Sequence, residues 1–248
     1  MLAITSDSFA GYGLDRAFEL AKEAEMEGIE VVIRHGEFDT QNPEYLNELS
    51  ERHNLPIIAL STQVEMSADK AQRVIELAEK VGAGIITLTP PDIFDFNYKK
   101  WLKEELPALR KKKKIKVAIV NPPVKTMLGI LPKYAFNDLF ELKQLDDIAF
   151  DTSNAVGRSE PLLEIYSTLK SKICHIHLSN AKHEQTHILL GNGSVPLESF
   201  LTRLARDRFE GALTLKLDPK ALGAGDDKKV LSNLADCKKF VEKYLREE

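Results

Sequence analysis

Three ionisable residues in the second half of this 248-residue chain sit where apolar runs end: Asp151 after "IAF", His177 within "ICHIHL" and Lys216 within "ALTLKL". A carboxylate, an imidazole and an amine can together hold a charge, move a proton and polarise a carbonyl. An imidazole titrates near neutrality, so His177 suits proton transfer. A lysine among Leu213, Leu215 and Leu217 is costly to bury without a partner, and such lysines have displaced titrations. His175 shares a strand face with His177 and is expected deeper, as a packed histidine. Each of the three lies at or near the carboxyl end of its run.

Further polar residues stand at the ends of other apolar runs: Thr5 and Ser6, Arg34 and His35, Ser61 and Thr62, Thr89, Asn121, Asn154, Asn180 and Asp218. Ser, Thr, Asn and Asp at such points also cap helices, and that reading stays open for the hydroxyls. Two glycine-bearing segments, "LLGNGSVP" (189–196, with Gly191 and Gly193) and "ALGAGDDKK" (221–229), precede helical patterns. They suit either an anion at backbone N–H groups or tight turns alone.

The elements that position these residues alternate throughout. Strands are expected at 2–5, 30–34, 56–60, 84–89, 116–120, 148–151, 173–178 and 212–217. Helices are expected from Leu14 with a stop at Gly28, then at 43–53, 67–81, 98–110, near 134–143, 160–170, 196–206 and 228–246. Near-continuous apolar strands suit a parallel sheet covered by helices. Eight βα units in one domain spanning 1–248 predict a (β/α)₈ TIM barrel, with an open doubly wound sheet as the alternative. The barrel places polar strand ends at one mouth. The run "RKKKK" (110–114) falls on the opposite face and reads as a solvated turn.

Composition bounds the function. A net charge of −4 and 43% hydrophobic residues describe an ordinary globular chain and oppose a dedicated nucleic-acid binder. No apolar run matches a membrane span and the first residues lack a secretory pattern, so a cytoplasmic protein is expected. Cys174 and Cys237 read as inert, reduced core residues. The long loops 89–101 and 121–134 suit a lid or a homo-oligomer surface.

The motifs "IAFDTSNAVG", "ICHIHLSNAK" and "HILLGNGSVPLESFLTRLARDRFEGALTLKL" resemble, in order, strands six to eight of the xylose-isomerase-like TIM barrels. That family includes sugar and sugar-phosphate isomerases, epimerases and apurinic endonucleases. The resemblance implies a divalent metal held by a strand-five glutamate, a strand-six aspartate, a strand-seven histidine and a strand-eight glutamate. These positions fall on Val120, Asp151, His177 and Lys216; a frequent strand-two glutamate falls on Ile33. Asn154 stands for a family histidine, Asn180 for an aspartate, and His187 matches a histidine used for metal or substrate. An alkyl group and an ammonium cannot serve as oxygen ligands. A +2 ion about 5 Å from Lys216 meets repulsion of about 6 kcal/mol at an effective dielectric near 20.

The expectation is therefore no metal at that position and no cofactor, with Asp151, His177 and Lys216 as the reacting centre. Lys216 acts there as an electrostatic group, a base or a Schiff-base nucleophile. Arg34, His35, Asn121, Asn154, Asn180, His187, Gly191 and Gly193 are expected to bind a small, phosphorylated or carboxylated or neutral substrate. Sugar isomerase or epimerase chemistry is the first reading. A catalytically inactive ligand-binding or regulatory barrel is the second, and an endonuclease the least supported.

Overall fold

In the computed structural model, which describes residues 1–34, 36–62, 67–158 and 160–245, eight parallel strands close into a barrel. They are β1 (Leu2–Thr5), β2 (Gly28–Ile33), β3 (Ile57–Thr62), β4 (Ile85–Leu88), β5 (Lys116–Val120), β6 (Ile148–Asp151), β7 (Ile173–Leu178) and β8 (Ala212–Leu215). Sequential strands pair in parallel, and β8 closes on β1 with Leu2 opposite Leu213. The (β/α)₈ TIM barrel expected from the alternation is the fold observed.

Helices α1 (Leu14–Glu23), α2 (Pro43–Arg52), α3 (Ala68–Val81), α4 (Phe96–Glu104), α5 (Leu106–Lys112), α6 (Leu139–Leu142), α7 (Leu162–Leu169), α8 (Leu197–Arg206), α9 (Pro219–Leu222) and α10 (Asp227–Tyr244) follow in chain order. Each long helix buries one stripe. In α10 the buried residues are Val230, Leu234, Cys237 and Val241, recurring at helical spacing below an Asp226 cap that accepts from Lys229 N. Phe200 of α8 packs edge-on against Tyr166 of α7 at 5.3 Å and tilted against Phe150 of β6 at 5.9 Å.

Several expected boundaries moved for local reasons. The first helix ends at Glu23, and Glu25 turns the chain at φ 55°. Gly28 is not the helix stop but the first residue of β2. A Cβ there would lie 2.5 Å from Ile58 Cγ2, so β2 and β3 can approach only at a glycine. The expected helix 98–110 is two, because Pro107 in the first turn of α5 cannot donate into a continuous helix. The expected helix near 134–143 shrinks to α6, and Thr126–Met127 pairs with Leu131–Pro132 as a short hairpin. Arg110 is not solvated: it pairs with Asp146 at 2.8 Å and Asp147 at 3.3 Å beneath β6.

The strands also alternate more than expected. Ile4, Ile29, Val31, Leu60, Ile86, Ile119, Phe150, Ile176 and Leu215 join the apolar layer under the helices. The intervening positions, which face the barrel axis, are Ala3, Thr5, Glu30, Ala59, Ser61, Thr87, Ala118, Ala149, Asp151, His175, His177 and Thr214, all buried. This barrel is lined by small and polar side chains, and the alanines make room for the charged ones.

Candidate functional site

Asp151 ends β6 fully buried, and its side chain gathers the site. Lys216, one residue past β8, brings Nζ to 3.0 Å from Asp151 Oδ2. His187 Nε2 lies 3.6 Å and His177 Nδ1 3.9 Å from the same oxygen. Asp151 Oδ1 accepts from Asn154 N at 3.1 Å. Burial opposes ionisation of Asp151, but the charges of Lys216, His187 and His177 outweigh it and hold the carboxyl down at about 2. Burial likewise works against the Lys216 ammonium, and the Asp151 carboxylate reverses that, leaving its pKa raised. This pair is an ammonium and a carboxylate at neutral pH.

The His187 imidazole is pushed down by burial, against the pull of Asp151, so it is neutral at physiological pH. Its backbone is held at φ 59°, an uncommon conformation for a residue with a side chain. Hydrogen bonds fix it there. His187 N donates to Ser153 Oγ at 3.1 Å, and its carbonyl accepts from Asp218 N at 2.7 Å.

A cavity of about 150 Å³ opens above this cluster, lined among others by Thr5, Asp7, Ser61, Thr89, Asn154 and Lys216. Tyr134 contributes one wall. It is placed there because the loops after β4 and β5 are stitched together: Ile93 N donates to Lys133 O at 3.1 Å and Ala135 N to Pro91 O at 2.9 Å. Those loops, expected as a lid or an oligomer surface, expose Phe94, Phe96, Leu128 and Ile130 on their outer side.

The remaining expected residues divide. Asn154 lines the cavity, while its amide donates to Asn121 O at 3.0 Å. Asn121 does not reach the cavity: its amide accepts from Asp151 N at 2.6 Å and donates to Asp151 O at 3.1 Å, clamping β5 to β6. Asn180 is also used by the backbone, donating to Leu190 O at 2.6 Å and accepting from Ala181 N and Val195 N. Gly193 belongs to that lock, since a Cβ there would stand 2.1 Å from Asn180 Oδ1. Gly191 lies in the adjoining turn Leu190–Asn192. Neither glycine lines the cavity.

In the second glycine segment, Gly223 takes φ 89° to end α9 and Gly225 N donates to Tyr12 Oη at 2.9 Å. Arg34 pairs with Asp7 and Glu37 in a neighbouring groove, reaching the mouth only through Asp7. His35 lies outside the described residues.

Two residues were missed. Asp7, in the turn after β1, lines the mouth. Glu30 extends from β2 across the barrel, with its Oε2 2.7 Å from His175 Nε2 and its Oε1 2.9 Å from His177 Nε2. All three are buried. The signal for Glu30 was visible as a lone carboxylate inside "GIEVVI", on the same face as Val32. Burial works against the Glu30 carboxylate, yet the two imidazoles hold it well below the usual range.

The divalent metal that the family resemblance implied does not fit the mouth. Of its four ligand positions, Val120 offers no donor, and the Lys216 ammonium stands against the Asp151 oxygen a metal would use.

Comparison with known proteins agrees with the architecture. A family model described as xylose isomerase-like TIM barrel matches residues 18–234. An uncharacterized protein from Mycobacterium leprae is 19% identical, covering 93% of this chain and 92% of that protein. Among solved structures, a D-tagatose 3-epimerase-like protein superposes with a TM-score of 0.74 at 16% identity, covering 98% of this chain and 96% of that one. The 3-keto-D-glucoside 4-epimerase of E. coli gives 0.73 at 14% identity, covering 96% and 98%. Endonuclease IV from Thermus thermophilus gives 0.66 at 15%, covering 98% and 99%. At these identities the solved structures speak for the fold, and the family match over most of the chain decides membership: the protein belongs to the xylose isomerase-like TIM barrel family.

Proposed function

We propose that the protein is an isomerase or epimerase of a small, uncharged polyhydroxy carbonyl compound, working at the barrel mouth without a metal ion there. The observation that carries this reading is the Lys216 ammonium, held against Asp151 at 3.0 Å while its side chain still opens onto the cavity. Isomerisation and epimerisation beside a carbonyl share one difficulty: removing a proton from carbon places negative charge on the carbonyl oxygen. A fixed cation in a site of low dielectric stabilises that charge. Lys216 supplies it, and Asp151 keeps Lys216 charged and in place. The base assigned to the proton is His187, neutral and 3.6 Å from Asp151 beside the cavity. It must join the cavity lining when substrate binds in order to accept the proton and return it to a neighbouring carbon. Asp151, with its carboxyl near 2, is too weak a base for that step.

The lining supports the substrate class. Ser61 and Thr5 offer hydroxyls for a polyol, while Thr62, Thr89 and Asn154, whose donors go to backbone carbonyls, offer acceptor oxygens. Among the described lining residues Lys216 is the one cation; Asp151 compensates it, and the Asp7 carboxylate is paired with Arg34. That balance disfavours a phosphorylated or carboxylated substrate. The volume lies below the roughly 300–1,000 Å³ of drug-sized pockets, which limits the ligand to a small molecule. Two of the structural neighbours bear epimerase names, consistent with this chemistry.

Proton exchange tests the reading. Incubating the protein in heavy water with a panel of aldoses and ketoses, and following carbon-bound hydrogen by NMR, should show exchange next to the carbonyl for at least one sugar. Lys216→Met should abolish it. A sugar that binds at the mouth without exchange or inversion would instead establish the ligand-binding reading, which the tight Asp151–Lys216 pairing also suits.

A further inference from the structure

We propose that Glu30, His175 and His177 form a transition-metal site inside the barrel, one layer beneath the mouth, taking a zinc-like ion that pins β2 to β7. The inference is independent of the function proposed above.

The donor set is the first argument. One nitrogen of each imidazole and one Glu30 oxygen all lie within 4.8 Å of one another, and all three residues are buried. Two imidazoles and a carboxylate suit zinc and its first-row neighbours rather than calcium or magnesium, which prefer oxygen shells. Bonds of about 2.0–2.1 Å in a tetrahedral arrangement need donor atoms about 3.3 Å apart. Glu30 stands at 2.7–3.1 Å from the two Nε2 atoms, short of that spacing by up to about half an ångström. The small side chains of Ala3, Ala59, Ala118 and Ala149 keep the surrounding interior from filling with bulk.

Hydrogen bonds alone leave the cluster short, which is the second argument. When both imidazoles donate from Nε2 to Glu30, His175 Nδ1 and His177 Nδ1 are left buried with no partner, as is Thr214 Oγ1 on the neighbouring strand, opposite His177. Such groups carry a desolvation cost. An ion bound at both Nε2 atoms turns each Nδ1 into an N–H donor. His177 Nδ1–H then points its positive end towards the Asp151 carboxylate, whose Oδ2 lies 3.9 Å away, beyond hydrogen-bond distance. His175 Nδ1 gains no partner from the ion. Thr87 Oγ1, 3.4 Å from Glu30 Oε1, steadies the carboxylate.

The ion also meets the charge of the site. A carboxylate sealed inside a barrel requires a nearby cation, and a divalent ion supplies it without protonating an imidazole. Across the barrel, β2 and β7 are separated by β1 and β8, so the ion would join strands that share no backbone bonds.

The test uses full-length, tag-free protein. Elemental analysis, as purified and after refolding in excess zinc or cobalt, is expected to give about one metal per chain. Cobalt should show the visible absorption of a tetrahedral site. Zinc at about a hundred times its dissociation constant should raise the melting temperature by about 5–10 °C. Glu30→Gln, which retains the shape of the side chain, should lose metal while its circular dichroism stays that of the wild type. If that variant fails to fold, the cobalt spectrum of the wild type decides alone. Metal below about a tenth of an equivalent after refolding, with an unmoved melting temperature, overturns the proposal. So does metal retained by Glu30→Gln, or metal lost from Asp151→Asn but kept by Glu30→Gln.

Discussion

Lys216 Nζ stands 3.0 Å from Asp151 Oδ2, so an ammonium meets the strand-six carboxylate where the family resemblance implied a metal ion. The pair joins the ends of β6 and β8 across β7. It is the reason the mouth holds a fixed positive charge, and most consequences of the account start from it.

Removing the lysine strands a buried anion. Breaking a buried pair typically costs about 3–5 kcal/mol; Lys216 partly reaches water, so we expect about 2–4 kcal/mol for Lys216→Met in urea unfolding. The double variant with Asp151→Asn should cost less than the sum of the singles, because it leaves no unpaired charge. Additive costs would mean that the two groups do not interact.

The same pair sets an acid limb. Asp151 has a folded pKa of about 2 against an ordinary value near 3.9, so the unfolded chain binds the proton first as pH falls. Its contribution is fully present above about pH 5 and disappears as pH drops towards about 2, amounting to about 2–3 kcal/mol. Stability of the wild type minus that of Asp151→Asn, measured from pH 6 to about pH 2, should shrink along that course. A difference independent of pH would rule out the carboxylate as its source.

Schiff-base chemistry needs a free amine, and the raised pKa of Lys216 removes it. Borohydride treatment with small aldoses and ketoses at neutral pH should leave Lys216 unmodified by mass spectrometry. A trapped adduct on Lys216 would replace the electrostatic role with a covalent one.

Gly191 and Gly193 differ in what surrounds them. A Cβ at Gly193 meets Asn180 Oδ1 at 2.1 Å, whereas none of its neighbours lies within 4 Å of a Cβ at Gly191. Gly193→Ala should cost about 1–3 kcal/mol and Gly191→Ala under about 0.5 kcal/mol in chemical denaturation. Equal effects would show that the Asn180 lock does not fix the loop.

The thiols offer a check on the core. Burial pushes Cys174 up to about 12 and Cys237 up to about 11, and both are free. Iodoacetamide at pH 8 should leave both unmodified in the folded protein and label both in denaturant. Rapid labelling of Cys174 in the native state would mean that β7 opens to solvent.

The sequence carried the barrel well because parallel strands and amphipathic helices write distinct periods, and eight repeats of the alternation leave few closures. It carried Asp151, His177 and Lys216 as a group, since each is a polar residue at or near a strand end, whereas His187 was reached only through the family resemblance. Asn121 and Asn180 misled because an asparagine that clamps backbone and one that meets a ligand have the same letter. Only their partners, Asp151 on one side and Leu190 and Val195 on the other, tell them apart. Glu30 was overlooked because its partners lie 145 and 147 positions away in sequence. Cross-barrel contacts of that range depend on which strands closure sets opposite one another, and local pattern does not encode it.

Anomalous diffraction from crystals soaked in zinc or manganese tests most directly whether Lys216 stands where the family would place a metal. The account predicts that Lys216 stays on Asp151, with no anomalous peak within about 2.6 Å of either Asp151 oxygen. An ion bound to Asp151 and His177 at the mouth, with Lys216 turned away, would contradict it.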